Sequence, residues 1–366
     1  MNIAFYVNEM NYRGVANSTY KYAFYNEKIL KNNSIIFFNK RNRSNKKDVI
    51  DRFKKEFTII GVSEFSKINN YKEKMRLKYI YLQKGGEKDQ MVSKKIKTIV
   101  HSMYPQKLKE IHGYKYAFIS EWLSEKFSNK KIPYVPYMVE NYKTKKNLKK
   151  ELKISKKYTV LGCHGGESSF DLRFAQDSII KATNQREDLF FLFLNIKKFC
   201  NHSRIKFLKG TANEKFKKEF VNTCDGMIYG RSLGESFGLA CAEFATDDKI
   251  ILSYKFNRHR SHKYHYSKNY FFEYSSFKNL TNILLNLKFK TKRKKIYNKY
   301  KAYSPKKVMF FFKKVFLLEN KKINLSVKDY FLSYFNFFLM HYNYLRHKIY
   351  NHYYNYLESK IINFKR

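Results

Sequence analysis

The sequence predicts an α/β protein of two domains, each with a doubly wound parallel sheet. Its 366 residues exceed the size of one ordinary hydrophobic core and suit two domains. Short apolar runs alternate with helical patterns along most of the chain, which is typical of parallel sheets covered by helices. A proline-containing segment near the middle marks a place to divide them. Hydrophobic residues form 43% of the chain, which is enough for two buried cores.

The first part of the chain carries short apolar runs of the kind that form strands buried on both faces. They lie at residues 3–7, 34–38, 58–61, 79–82, 96–101 and 116–120. Helical patterns separate them, the first over about residues 17–31 after a loop at 8–14. The opening apolar run is too short for a signal peptide, so we interpret it as the first strand.

The domain boundary is predicted where Pro133 and Pro136 are followed by a lysine-rich stretch at 143–157. Exposed, polar segments with prolines commonly join domains. We therefore predict an N-terminal domain and a linker, then a C-terminal domain and a tail, with these bounds: 1–140, 141–157, 158–318 and 319–366.

The second domain shows the same alternation. Strands are predicted at 158–163, 189–195, 205–208, 226–230 and 249–253. A buried helix is predicted at 237–244. Ser304-Pro305 indicates a helix start, and residues 308–317 form the predicted closing helix of the domain.

The net charge is strongly positive, with 75 Lys and Arg against 30 Asp and Glu, or +45. Such a charge invites a nucleic-acid interpretation. However, Lys, Asn, Tyr, Phe and Ile are abundant while Gly (13) and Pro (4) are few, the bias that an A+T-rich genome imposes. Much of the charge is then solvated surface, and we regard nucleic acid as an unfavoured partner. Anions such as nucleotide-sugars or acidic lipids are attracted regardless.

The four cysteines show no C-x-x-C spacing, which favours buried thiols in a reducing compartment and no zinc site. No run of 18 apolar residues occurs in the sequence, so no membrane-spanning helix is expected. We predict a cytoplasmic protein, either free or peripheral on a membrane face.

Two carboxylates, Glu235 and Glu243, stand eight positions apart in a glycine-containing apolar segment that begins at Gly234. Eight residues of helix span about 12 Å, too far for the paired carboxylates of a glycosidase, which need about 5–9.5 Å. Glu235 and Glu243 instead suit the opposite ends of one long ligand. The first N–H groups of the helix suit an anion between them. A nucleotide-sugar has that form, with sugar and ribose hydroxyls on either side of a diphosphate.

This segment resembles the E-x7-E signature of retaining glycosyltransferases of family 4, whose GT-B fold has two Rossmann-like domains facing a central cleft. Residues 224–229 resemble the strand before the motif, and 162–166 resemble the opening of the donor-binding domain. The resemblance covers residues 1 to about 317. It implies transfer of a hexose from a nucleotide-diphosphate sugar to a glycan, glycolipid or protein acceptor. It also implies an acceptor-binding N-terminal domain, no metal, and no cofactor beyond the donor.

The resemblance also assigns roles to single residues. Glu235 would contact the transferred sugar, Glu243 the ribose, and a turn at Gly14 the donor phosphates. The sugar and diphosphate would lie near the backbone N–H groups of Ser236, Phe237, Gly238 and Leu239. His101, at a strand end, would face the reacting sugar, although a lone histidine there is often structural.

The segment His164-Gly165-Gly166 follows a predicted strand and is a candidate phosphate nest. Many members of the resembling family carry an Arg and a Lys near this place. Here His164 stands in the place of the Arg and Phe170 where a Lys is expected. Arg173 or Arg231 would then supply the missing cation through its planar guanidinium.

Beyond about residue 317 the resemblance ends, and an apolar stripe with heptad spacing runs through the tail. Three interpretations stay open: packing on the protein body, self-association, or a helix on an anionic membrane surface. A basic loop at 257–263 suits an acceptor or membrane contact, or is sequence that drifted under compositional pressure. The alternative function is an inactive transferase scaffold that binds membrane or nucleic acid by charge. A phosphorylase is a weaker rival. The stripe consists of Phe331, Phe335, Phe338, Tyr342, Leu345, Ile349, His352 and Tyr356.

Overall fold

The computed structural model describes residues 1–140, 142, 144–265, 271–286, 299–318 and 323–364. The chain forms two compact units. The first contains residues 1–140 and 302–337, and the second contains residues 141–301 and 338–366. Each unit is built around one parallel sheet of six strands.

The sheet of the first unit has the order β3-β2-β1-β4-β5-β6, with every neighbouring pair parallel. All six strands fall where apolar runs predict them, because strands covered on both faces need nearly continuous apolar sequence. Its strands are β1 (Asn2–Val7), β2 (Asn33–Asn39), β3 (Thr58–Val62), β4 (Leu77–Lys84), β5 (Lys97–Ser102) and β6 (Lys115–Phe118). Its helices up to the boundary are α1 (Gly14–Lys28), α2 (Lys47–Lys54) and α3 (Glu121–Ser128).

The second unit repeats the arrangement, with the sheet order β14-β12-β10-β7-β8-β9. Its strands are β7 (Thr159–His164), β8 (Leu189–Leu194), β9 (Ile205–Leu208), β10 (Gly226–Tyr229), β11 (Gly234–Glu235), β12 (Ile250–Tyr254), β13 (His259–Arg260) and β14 (Phe271–Tyr274). The short strands β11 and β13 form a separate two-stranded sheet. Its helices before residue 302 are α4 (Arg173–Gln185), α5 (Glu214–Thr223), α6 (Leu239–Thr246), α7 (Ser261–Tyr264) and α8 (Phe277–Asn286).

The closing helix differs from its prediction in the domain to which it belongs. Helix α9 (Pro305–Phe312) begins with proline at its first position, as expected. It continues into a π-helical turn (Lys313–Leu318). Sequence analysis places these residues in the second domain, whereas the structure groups them with the first unit. Phe312 packs on Tyr81 of β4 with ring centroids 5.4 Å apart. An apolar helical face shows that a helix packs, but not on which sheet.

The tail forms a long helix, α10 (Val327–Phe364). One side packs on the protein: Phe337 lies 4.9 Å from the ring of Phe127 in the first unit, and Tyr350 lies 5.2 Å from the ring of Phe174 in the second. The stripe identified in the sequence lies on the other side, where its seven apolar members are 49–72% exposed. The packing interpretation is therefore wrong for the stripe itself. No helix within the described ranges is long and apolar enough to cross a bilayer.

Candidate functional site

Glu235 lies just beyond the carboxyl end of β10 in the second unit. Its Oε1 accepts a hydrogen bond from the hydroxyl of Tyr229 at 2.7 Å and one from Nη1 of Arg231 at 3.2 Å. Burial, and then the charge of Glu235, raise the pKa of Tyr229 well above its usual 10. The phenol therefore stays protonated and donates to the carboxylate, while the guanidinium balances the carboxylate charge.

Two glycines with left-handed backbone shape the loop that carries Glu235. Gly234 has φ +71° and Gly238 has φ +93°, angles that other residues rarely adopt. A side chain at Gly234 would place its Cβ 2.0 Å from the carbonyl oxygen of His259, and one at Gly238 would lie 3.0 Å from Cβ of His262. The loop is therefore fitted closely against residues 259–262, and β11 pairs with β13 at the same place.

Buried side chains behind this loop hold it in place through hydrogen bonds. Nδ2 of Asn257 donates to the carbonyl oxygen of Arg231 at 2.6 Å. Ser253 Oγ donates to Oδ1 of Asn257 at 3.3 Å and lies 3.0 Å from Nε2 of His262. Burial, followed by the charges of neighbouring cations, holds the pKa of His262 well below 6.5. The prediction that the basic loop 257–263 is a contact for acceptor or membrane is wrong for its buried members, because their side chains fix the Glu235 loop.

Glu243 lies one turn from the end of α6 and meets His164 at the carboxyl end of β7. Glu243 Oε2 and His164 Nε2 are 2.8 Å apart, and the two side chains are 21% and 11% exposed. The imidazole packs against Phe220 and Phe244, with ring centroids 5.9 and 6.0 Å away. The structure therefore brings two predicted site residues into contact.

The backbone groups of the two glycines after β7 make hydrogen bonds within the protein. The amide of Gly166 donates to Oγ of Ser169 at 2.9 Å, and the amide of Gly165 lies 3.4 Å from the carbonyl oxygen of Leu194. Nδ2 of Asn195 donates to the carbonyl oxygen of Gly165 at 2.6 Å. The predicted phosphate nest is therefore closed in this structure, and an anion would have to displace Ser169 Oγ.

The candidate cations differ in position. Arg231 lies beside Glu235, whereas Arg173 begins α4, has a 55% exposed side chain and pairs with Asp177 at 3.2 Å. Phe170 is buried against Phe193, with ring centroids 5.1 Å apart, and supplies packing in place of the expected lysine. Of the two arginines, Arg231 is the one that the structure brings to the Glu235 loop.

Helix α6 begins directly after this loop, with Gly238 as its N-cap and no side chain capping it. The partial positive charge of a helix N-terminus therefore faces the segment that carries Glu235 and Ser236. Phe237 is buried, and its carbonyl oxygen accepts a hydrogen bond from the hydroxyl of Tyr300 at 2.7 Å. Leu239, the first helical residue, is half-buried.

His101 and Gly14 lie in the first unit. His101 is fully buried, with Nδ1 2.7 Å from the hydroxyl of Tyr81 and Nε2 2.8 Å from the carbonyl oxygen of Val135. Burial lowers the pKa of His101 to about 3. Both ring nitrogens are used within the core, so neither is presented to a sugar. Gly14 is exposed at the start of α1.

Sequence reasoning missed Tyr229 and Asp171. The carboxylate of Asp171 accepts hydrogen bonds from the amide and the hydroxyl of Ser232, each at 2.7 Å. The available signal for Tyr229 was its position, because the last residue of a parallel strand lies at the edge where such sheets bind ligands. Among the residues that the structure describes, no group of three or more His, Cys, Asp or Glu is placed to hold a metal ion.

Comparison with known proteins supports the fold. Neither a protein-family model nor a curated protein matches the sequence. Among solved structures, a glycosyltransferase from Rickettsia africae is 12% identical, with 96% of this chain and 98% of that chain covered and a TM-score of 0.55. Anabaena HepE in complex with UDP-glucose is 11% identical, with 86% and 95% covered and a TM-score of 0.58.

A putative UDP-N-acetylglucosamine 2-epimerase from Listeria monocytogenes is also similar, at 10% identity, with 89% of this chain and 99% of that chain covered and a TM-score of 0.52. These likenesses confirm the predicted GT-B class, with two parallel-sheet α/β domains and an additional C-terminal helix. At such low identity they establish the fold alone.

Proposed function

We propose that this protein is a retaining glycosyltransferase of the family 4 type, which moves a hexose from a nucleotide-diphosphate sugar to an acceptor. The observation that carries the proposal is the placement of the E-x7-E carboxylates. Glu235 is held by Tyr229 and Arg231, and Glu243 by His164, around the ends of β7 and β10. Sheets of this kind bind ligands at the carboxyl ends of their strands.

The donor in this proposal is a UDP-sugar. Support comes from the similarity to HepE, whose structure contains UDP-glucose. Glu243 would accept hydrogen bonds from the ribose hydroxyls, and Glu235 from hydroxyls of the transferred sugar. The diphosphate would lie at the N-terminus of α6, because the first N–H groups and the dipole of a helix favour an anion.

Catalysis would depend on fixed charges aimed at the leaving diphosphate. Arg231 lies 3.2 Å from Glu235. When sugar hydroxyls satisfy that carboxylate, the guanidinium becomes available to the developing phosphate charge. The α6 dipole would act in the same direction. We therefore propose transfer without a metal and without a cofactor other than the donor. Family resemblance alone motivates retention of configuration and an acceptor site in the N-terminal domain.

The fold also occurs in a putative epimerase, so the reaction itself must be tested. Purified full-length protein is first screened for thermal stabilisation by UDP-glucose, UDP-galactose and UDP-N-acetylglucosamine, because a ligand of the native state raises its stability. The protein and the stabilising UDP-sugar are then incubated with glycolipid and oligosaccharide fractions as acceptors. We expect release of UDP and a glycosylated product, unchanged by EDTA, and a strong loss of both in Glu235→Gln.

Three outcomes would contradict the proposal. Interconversion of UDP-sugars without acceptor glycosylation would indicate an epimerase. Phosphate-dependent release of a sugar phosphate from glycan would indicate a phosphorylase. Stabilisation by no nucleotide-sugar, together with salt-dependent binding to RNA or vesicles, would indicate the inactive basic scaffold.

A further inference from the structure

The outward face of α10 in the second unit is a continuous apolar surface. Its members recur at steps of three and four and are 49–64% exposed: Phe338, Tyr342, Leu345, Ile349, Tyr353 and Tyr356. We call this set the aromatic stripe. At about 100° per residue, these residues lie within roughly a third of the helix circumference. Six half-exposed side chains of this size present on the order of 600 Å² of apolar surface, as large as the largest patch of a typical monomer.

The opposite side of α10 is already occupied by the protein. His347 Nδ1 lies 3.3 Å from the hydroxyl of Tyr254, and the hydroxyl of Tyr350 accepts a hydrogen bond from the amide of Phe277 at 3.0 Å. The hydroxyl of Tyr354 donates to Asp177 at 3.1 Å. These contacts fix the rotation of the helix, so the outward direction of the aromatic stripe is a property of the folded unit.

The charges beside the stripe have one sign. Residues 330–357 contain no Asp or Glu, while Arg346 and Lys348 lie on the exposed helix next to the stripe. Arg346 lies over the rings of Phe256 and Tyr342 at 4.4 and 5.9 Å, and Lys348 over Tyr344 at 5.1 Å. Stacking on rings places both cations at the border between the apolar face and its polar margin.

We propose that the aromatic stripe docks this protein on an anionic lipid bilayer, with α10 parallel to the membrane plane. Tyrosine and phenylalanine flanked by Arg and Lys suit the interfacial region of a bilayer, where rings enter the acyl boundary and cations meet headgroup phosphates. Each cation near an anionic surface adds to the attraction, within the reach that ionic strength allows.

A second copy of the chain fits the face less well. Helix pairing at heptad spacing is directed by charges of opposite sign at the flanking positions, and none is present between residues 330 and 357. Each chain also carries a formal charge of +45, which opposes self-association and favours an anionic partner. The proposal does not depend on the donor site around Glu235.

The test is vesicle co-sedimentation of the full-length protein. Vesicles of phosphatidylcholine are compared with vesicles in which a third of the lipid is phosphatidylglycerol, at low and high salt. The variant Tyr342→Ser/Ile349→Ser/Tyr353→Ser removes three exposed members of the stripe. The matched control is Phe310→Ser, which removes a 65% exposed ring on α9. Circular dichroism and the midpoint of thermal unfolding confirm that each variant folds.

We expect binding to the anionic vesicles, at least a tenfold loss in the triple variant, and unchanged binding of Phe310→Ser. Lys348→Glu should weaken binding at low salt and much less at high salt. Equal binding by the triple variant and the parent would overturn the proposal. So would a dimer, seen by analytical ultracentrifugation without lipid, that the triple variant abolishes. Preferential binding of RNA over the anionic vesicles would also overturn it.

Discussion

His164 and Glu243 join the end of β7 to α6, with Nε2 and Oε2 2.8 Å apart. The imidazole packs against the rings of Phe220 and Phe244, so the carboxylate has a well-packed partner on its protein side. This contact places His164 against the carboxylate that we propose for the ribose, and in that proposal His164 positions Glu243 and does not bind phosphate.

The first prediction concerns Glu243. Replacing Glu243 with Gln keeps the size of the side chain but removes the charge that faces His164 and the proposed ribose hydroxyls. We expect the donor affinity to fall about tenfold, a loss of about 1.4 kcal/mol in binding free energy. The free energy of unfolding should change little. Isothermal titration with the stabilising UDP-sugar measures the affinity.

The control for this prediction is Glu187→Gln, which changes an exposed glutamate of the same unit outside the site. Its donor affinity should equal that of the parent protein. Unchanged affinity in Glu243→Gln would remove Glu243 from the donor site, while leaving the role of Glu235 to be judged from its own variant.

The second prediction concerns Tyr229, whose hydroxyl donates to Glu235 at 2.7 Å. Tyr229→Phe keeps the buried ring and removes this one hydrogen bond, which should cost about 1 kcal/mol of stability. With Glu235 less well fixed, we expect kcat to fall severalfold or more. Urea denaturation and hydrogen exchange in β10 measure the stability. UDP release at saturating donor measures kcat.

Tyr274→Phe is the matched control for Tyr229→Phe. Its hydroxyl is also buried and donates at 2.8 Å, but to the carbonyl oxygen of Tyr229 and not to a site residue. Both variants should lose similar stability, and only Tyr229→Phe should lose turnover. Equal losses of turnover would show that the effect comes from general loosening of β10.

Most strand positions in both six-stranded sheets were predictable because the sheet cores need uninterrupted apolar sequence. The edge strand β14 was not predicted, and most of its residues are only partly buried. The pairing of His164 with Glu243 was not, because the two residues are 79 positions apart and only the sheet order brings them together. The motif indicates that a glutamate matters, but it does not show what lies against it. The same limit applies to α9, whose apolar face is compatible with either sheet.

In the tail, the helical spacing was predictable but the buried face was not. Its heptad spacing was visible in the sequence, but periodicity alone does not distinguish a buried stripe from an exposed one. Phe337 and Tyr350, which make the packing contacts, lie off the stripe. Aromatic residues on both faces of α10 therefore concealed which face is buried, and only tertiary contacts separate them.

The third prediction concerns Gly238, at the N-cap of α6. Gly238→Ala puts a Cβ on a backbone with φ +93° and 3.0 Å from both His262 Cβ and the hydroxyl of Tyr300. Strain of this kind costs about 1–3 kcal/mol. We expect lower stability of the second unit, seen as faster hydrogen exchange in β10 and β12, and weaker donor binding because the Glu235 loop shifts.

Gly166→Ala is the control for Gly238→Ala. Its added Cβ would meet only Ser169 Oγ, at 3.3 Å, and its backbone lies outside the left-handed region. Its stability should stay near that of the parent. A Gly238→Ala variant as stable as the parent would show that the loop can relax without its left-handed turn.

The fourth prediction is a pH dependence set by His101. Its pKa is lowered to about 3 in the folded protein, mainly by burial, against about 6.5 in an unfolded chain. The unfolded state therefore binds the extra proton first, and stability falls as pH decreases from about 6.5 towards 3, by about 1.4 kcal/mol per pH unit once the unfolded histidine is fully charged. Trp122, the single tryptophan, lies in the same unit and reports its unfolding by fluorescence.

Urea denaturation between pH 7.5 and 5 (values chosen to stay above the ordinary carboxylate pKa of about 4) should show this loss in the parent protein. His101→Gln removes the titrating group but retains a polar side chain towards Tyr81 and Val135. This variant should be less stable at pH 7.5 and show a smaller fall towards pH 5. Tyr81→Phe, which also disrupts the buried contact of His101 but leaves the histidine, should keep a fall with decreasing pH. Identical pH slopes in His101→Gln and the parent would show that His101 is not the source of the acid sensitivity of the first unit.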